Sequence, residues 1–238
     1  MSILNSIITE KQPQPPPIGI VYGLPGIGKT TFGASLKDCL IIDCENGANH
    51  VDCDKTPYLK EWQHVKNVIN ALIFEEHNYK TVVVDSLDWC FRLMISEIIG
   101  DSIIGEAKGG FGKGYQYLEK LVRKPFIPMF NELNCRKNVS VIFLAHAKQE
   151  SVEDADGLAC EKICPDIPCG KKDNPYVRLF TEWVDFVFYM REIKNERIFQ
   201  TKGTPRTIAK CRYPVPDKIK ITEFNKYLID TKTETEKE

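Results

Sequence analysis

Gly23-Leu24-Pro25-Gly26-Ile27-Gly28-Lys29-Thr30 matches the pattern G-x-x-x-x-G-K-[ST] in full. Each residue type answers a chemical need. The glycines let backbone amides turn inward around an anion. Lys29 is long enough to reach the β- and γ-phosphates of a nucleotide. The Thr30 hydroxyl is a ligand for Mg²⁺, and Thr31 completes the nucleotide-binding run. A helix following directly aims its N-terminal dipole at the same anion.

The pattern needs a buried strand before it and a helix after it. Ile18-Gly19-Ile20-Val21-Tyr22 supplies the strand, and residues 28–37 are expected to be helical, ahead of a second strand at Leu40-Ile41-Ile42-Asp43. Farther on, Trp62, Val65, Val68, Ile69, Leu72 and Ile73 fall on one face of an amphipathic helix over 61–76. Thr81-Val82-Val83-Val84-Asp85 is β-branched and too short for a helix, so it reads as a buried strand. A helix is expected over 88–99, a glycine-rich loop over 100–114, and a helix over 115–134 broken or kinked at Pro125 and Pro128. Val139 to Leu144 is another buried strand, and residues 147–178 read as a long polar loop. Three late strands are expected, from Trp183 to Met190, Arg197 to Thr201 and Thr207 to Arg212.

Strands alternating with helices imply an α/β fold with a mostly parallel sheet flanked by helices, and the late strands imply an antiparallel extension at one edge. The chain of 238 residues is long enough for one sizeable core. We expect an extended proline-rich leader over 1–17, one domain over 18–220 and a charged tail over 221–238. The hydrophobic share of 42% and charged share of 27% exclude collagen, a long coiled coil and wholesale disorder. No apolar run approaches the ~20 residues that span a bilayer, so no membrane contact is expected. With no export signal in view, the nine cysteines read as reduced thiols of a cytoplasmic protein. The net charge of −1 argues against coating nucleic acid through bulk positive charge, so such contact needs a local patch.

Two carboxylates stand where strands end. Asp85 closes Val82-Val83-Val84 and can hold Mg²⁺ through water; capping the next helix is its alternative role. Glu45 lies just past the strand ending at Asp43, at the edge where open α/β sheets bind ligands, and can polarise water for attack on the γ-phosphate. A solvated loop acid is the alternative.

In this order the motifs resemble the RecA-like ATPases, and among them the small phage-type proteins that include single-strand annealing ATPases. The resemblance covers about residues 17–216. It implies ATP and Mg²⁺ as cofactors and Glu45 as the catalytic glutamate that activates water. Val84-Asp85-Ser86 becomes the Walker B end, and His146, at the end of Val141-Ile142-Phe143-Leu144-Ala145-His146, becomes the residue that senses the γ-phosphate. It also implies that Lys210 and Arg212, in Ala209-Lys210-Cys211-Arg212, reach the γ-phosphate of a neighbouring subunit in a ring or filament. Alternation along a strand puts both on one face.

The same resemblance places two loops against DNA. The first holds Lys108, Phe111 and Lys113 ahead of Gly114-Tyr115, a mix suited to a single strand whose bases stack on aromatics while lysines meet phosphate. Glu106 to Lys137 carries seven Lys or Arg against three Glu, which favours such contact. The second offers Lys171, Lys172 and Arg178, but Glu150 to Asp166 holds six acids against one Lys and should repel phosphate. In that stretch Cys160, Cys164 and Cys169 read as free thiols, with a Zn²⁺ site the alternative.

The expected activity is therefore Mg²⁺-dependent ATP hydrolysis on single-stranded DNA, in recombination or annealing. A single-strand DNA-binding protein is a further candidate partner. A non-catalytic switch protein of the helicase-loader type and a small-molecule kinase are the alternatives. The kinase needs a cationic lid over the phosphates, and the arginines here occur only singly.

Overall fold

Five apolar stretches form the parallel heart of one sheet: β1 (Ile18–Gly23), β2 (Cys39–Asp43), β4 (Thr81–Asp85), the first half of β5 (Ser140–Glu153) and β7 (Phe186–Ile193). In the computed structural model, residues 15–100, 102–153, 159–169 and 174–229 are described. Alternate residues of each strand enter opposite cores. Val82, Val84, Val141 and Phe143 face one cluster, while Val83, Ile142 and Leu144 face the other. Helices cover both faces, so these strands are apolar throughout rather than alternating.

The sheet runs β10-β8-β7-β1-β5-β4-β2-β3, with the short β3 (Asp54–Lys55) at one edge. The expected architecture holds: the run from β7 to β3 is parallel, and β8 (Glu196–Gln200) and β10 (Lys218–Lys220) extend it in antiparallel pairs. On the first face lie α2 (Trp62–Phe74), α3 (Leu87–Ile99), α4 (Lys113–Leu121), α5 (Ile127–Lys137) and α6 (Pro175–Trp183). On the second lie α1 (Lys29–Ala34) and α7 (Phe224–Leu228).

Several expectations are corrected. The helix after the glycine loop stops at Ala34, not residue 37, since Gly33 and Ser35 hold it poorly and Asp38 sits at φ 46°. Pro125 and Pro128 do not break the chain's helical path. A π-turn over Val122–Phe126 absorbs the first proline, and the second falls in the first turn of α5, where no N–H is needed. The stretch read as one polar loop over 147–178 contains a hairpin and a helix. β5 continues past the sheet to Glu153 and pairs antiparallel with β6 (Ala159–Pro165), and α6 begins at Pro175. The strand expected over Thr207 to Arg212 shrinks to β9 (Lys210–Cys211) on β7.

Both expected boundaries move. Pro16 and Pro17 belong to the fold, because their carbonyls accept from Asn134 Nδ2 and from the Val141 amide. Residues 221–228 are not a solvated tail: Phe224 and Leu228 are buried, and Phe224 packs edge-on against Phe32 of α1 at 4.9 Å. Residues 1–14 of the leader and 230–238 of the tail lie outside the described residues. Among the described residues no helix is long and apolar enough to cross a membrane.

Candidate nucleotide site

The register of the sheet assembles the site. Gly23, the last residue of β1, is level with His146 on β5 to one side and with Met190 on β7 to the other. Asp43 and Asp85 are level on β2 and β4. The C-terminal edge of the sheet thus gathers the glycine loop and the strand-end carboxylates, as the ligand crevice of an open α/β sheet requires.

The loop from Leu24 to Gly28 leaves β1 and turns into α1. Gly26 (φ 77°) and Gly28 (φ 98°) take left-handed conformations that other residues enter only with strain. Pro25 and Ile27 complete the turn, closed by a 3.3 Å bond from the Ile27 amide to the Leu24 carbonyl. Lys29 is only 7% exposed and curls back, its ammonium donating to the carbonyls of Gly23 (3.2 Å) and Leu24 (3.1 Å). Burial lowers its pKa, opposed by the charges of Glu45, Asp85 and Asp88. An incoming phosphate therefore meets a cation already stripped of much of its water.

Thr30 Oγ1 donates to Asp85 Oδ2 at 2.7 Å. Burial pushes the Asp85 carboxyl up to about 6, against the pull of the Thr30 bond, and Glu45 and Asp43 push it further the same way. The helix-capping alternative is not the one realised. Ser86 holds the cap position of α3, makes no capping bond from its side chain, and donates instead to Glu45 Oε2 at 2.9 Å.

Glu45 is held from three directions. Its backbone stands on Asp43, whose carboxylate accepts from the amides of Glu45, Asn46, Gly47 and Ala48 at 2.7–3.3 Å. Ser86 fixes one carboxylate oxygen. His146 Nε2 lies 3.6 Å from the other. His146 is itself pinned by Asp88, with Nδ1 at 3.0 Å from Oδ2 and the backbone amide at 3.3 Å from Oδ1. The Asp88 bond raises the His146 pKa, burial opposing it. Burial pushes the Asp88 carboxyl up, but the bond and charge of His146 outweigh it and hold it below the ordinary value.

The structure thus brings together Lys29, Thr30, Glu45, Asp85 and His146. Sequence reasoning missed three supporting residues: Asp43, Ser86 and Asp88. A signal for Asp88 was present, since it is an acid one turn beyond Asp85 in a helix start otherwise lined by Leu87, Cys90 and Phe91, and it is 2% exposed. An acid on an apolar face needs a partner.

Lys210 and Arg212 are not brought to this site. Both reach the carbonyl of Glu182, at 3.4 and 2.7 Å, and Arg212 pairs with Asp185 at 3.0 Å. Asp185 is bonded to Ile18, at the opposite end of β1 from the glycine loop. The two cations do share one face. Of the loop residues, Phe111 is 98% exposed at φ 53°, Lys108 lies 5.2 Å from the Tyr117 ring, and Lys113 opens α4. Arg178 sits on α6 rather than in a loop and pairs with Glu182. Lys171 and Lys172 lie outside the described residues.

The oxygens of Thr30 and Asp85 fit a hard cation such as Mg²⁺. Among the described residues no cluster of three His, Cys, Asp or Glu stands ready to cage a metal. Mg²⁺ is commonly held by one or two protein oxygens together with phosphate and water.

A full G-x-x-x-x-G-K-[ST] turn between a buried strand and a helix, facing a strand-end Asp, defines a P-loop nucleotide-binding protein. The family model described as AAA domain matches residues 16–213, and the chain belongs to that family. No curated protein matches it in sequence. Among solved structures it is similar to the RadB recombinase, at 14% identity and a TM-score of 0.44, over 82% of this chain and 86% of that one.

Proposed function

We propose that this protein is a Mg²⁺-dependent ATPase with a RecA-like core, acting on single-stranded DNA in recombination or annealing as a ring or filament. The observation that carries the ATPase reading is the contact of Thr30 with Asp85 at 2.7 Å, beside a carboxylate, Glu45, steadied by Ser86 and His146. Two carboxylates with separate partners, Asp85 on the Thr30 hydroxyl and Glu45 between Ser86 and His146, can divide the labour of hydrolysis.

Lys29 exchanges its two carbonyl partners for the β- and γ-phosphates. Thr30 and Asp85 would hold Mg²⁺, which would supply positive charge against those phosphates. Glu45 orients a water and takes its proton as the water oxygen bonds to the γ-phosphorus and the bond to the ADP oxygen breaks. His146 steadies Glu45 and is placed to register loss of the γ-phosphate. The order of motifs along the chain supports the RecA-like assignment, and the exposed Phe111 with Lys108 and Lys113 supports a single strand as partner.

Glu45→Gln tests the chemistry. We expect ATP binding within a few-fold of wild type and turnover reduced about 10²–10⁴-fold, the usual worth of a general base. Unchanged turnover rejects Glu45 as base and favours the switch-protein reading. Phosphate appearing on an added small-molecule acceptor instead of in solution favours a kinase. An ATPase rate indifferent to single-stranded DNA, with strand binding indifferent to ATP, rejects the DNA assignment alone.

A further inference from the structure

Glu45, Asp85 and His146, assigned to the γ-phosphate end of the nucleotide, lie to one side of β1, on the turn after β2, on β4 and on β5, while Lys29 and Thr30 follow β1 itself. The side of β1 that carries β7, β8 and β10 is left for the rest of the nucleotide. There Arg197, on β8, lies against the phosphate loop. A Cβ built on Gly28 would stand 2.8 Å from Arg197 Nη1 and 3.8 Å from Met190 Cε. The side chain of Arg197 makes no hydrogen bond or ion pair among the described residues, and the neighbouring Glu196 is engaged by Lys220.

Beyond Arg197 opens a cleft of about 440 Å³. The end of β7 and the turn after it form one wall, with Glu192 and Asn195. Ile221 and Thr222 form the other, at the start of the segment that Phe224 pins to α1. The cleft is therefore anchored to the same helix that carries Lys29 and Thr30.

We propose that Arg197 grips the inner phosphates of the bound nucleotide in cis and that this cleft receives its nucleoside. The inference rests on the nucleotide reading above and extends it to a residue no motif marks. A guanidinium offers planar, paired donors suited to phosphate oxygens, and one without a competing carboxylate contact is available for them. A glycine at position 28 is then required twice over: for its left-handed backbone and for the space the guanidinium fills.

ADP and inorganic tripolyphosphate are the two probes. We expect Arg197→Gln to weaken ADP about 10–100-fold, as loss of a charged hydrogen-bonding group does, with Arg197→Lys recovering part of the loss. The melting temperature should stay put, since the residue is exposed and unpaired. Thr222→Trp, which fills the cleft, should weaken ADP while sparing tripolyphosphate. ADP binding by Arg197→Gln within twofold of wild type overturns the role of Arg197. Equal effects of Thr222→Trp on both probes overturn the cleft assignment. A wild-type chain that binds neither probe sinks the nucleotide reading and this inference together, a result different in kind from either.

Discussion

At Asp85 the proposed metal site and the stability of the fold pull in opposite directions. The carboxyl is buried and raised to about 6, so at neutral pH the folded protein holds a charge that burial disfavours. The direction of the pH effect follows. A folded pKa above the unfolded value of 3.8 means that the native state binds the extra proton between those values, so stability falls as pH rises through that window. Asp85→Asn removes the charge and keeps an oxygen for Thr30. At pH 7.5 without nucleotide we expect it to melt higher, by about 4–8 °C for a gain of roughly 2 kcal/mol. The gain should vanish near pH 4. ATP with Mg²⁺ should raise the melting temperature of wild type and leave the variant unmoved. Thermal melts across pH, with and without ATP and Mg²⁺, decide it; an Asp85→Asn protein less stable at pH 7.5 than wild type contradicts the account.

Elements were legible where burial wrote them. The runs at Ile18–Tyr22, Leu40–Asp43, Thr81–Asp85 and Val139–Leu144 are apolar because both faces of the sheet are covered, and their ends put Glu45, Asp85 and His146 at one edge. The ribbon of β5 and β6 was not legible. Lys148, Gln149, Glu150 and Ser151 pair with β6 without entering the central sheet, so no period-2 alternation of apolar residues marked them. Asp43 and Asp88 escaped for another reason: their importance lies in whom they hold, which only the folded register reveals. The C-terminal helix escaped because its five residues sit in a charged stretch, where Phe224 and Leu228 are the buried contacts and Tyr227 packs in part beside them. That contact is substantial. Phe224 is buried against Phe32, Phe186 and Phe199. Phe224→Ala should cost about 3–5 kcal/mol, read as a lowered urea midpoint with an unchanged slope. A loss under about 1 kcal/mol would show that the segment merely rests on α1.

The whole molecule poses a question of distance. Arg212 is fastened to Asp185 and Glu182 at the foot of β1, and the phosphate loop begins at its head, five residues and about 17 Å away at ~3.3 Å per residue. No rotation of one side chain spans that. If Arg212 assists hydrolysis, as the proposed ring or filament requires, it serves another copy whose loop packs against this end of the sheet. Head-to-tail packing of this kind is heterologous, so each subunit gives its loop to one neighbour and its arginine to the other. Two defective chains can then repair each other. Lys29→Ala lacks the loop's cation but keeps Arg212, and Arg212→Ala keeps the loop but cannot serve its neighbour. Alone, each should lose most ATPase activity while melting within a few degrees of wild type. Mixed in equal amounts and allowed to exchange, about one site in four joins an intact loop to an intact arginine, so roughly a quarter of the wild-type rate should return. Recovery requires the arginine to cross between subunits. A mixture no more active than its better component, made of chains shown by light scattering to co-assemble, would leave Arg212 as a structural partner of Asp185 and nothing more.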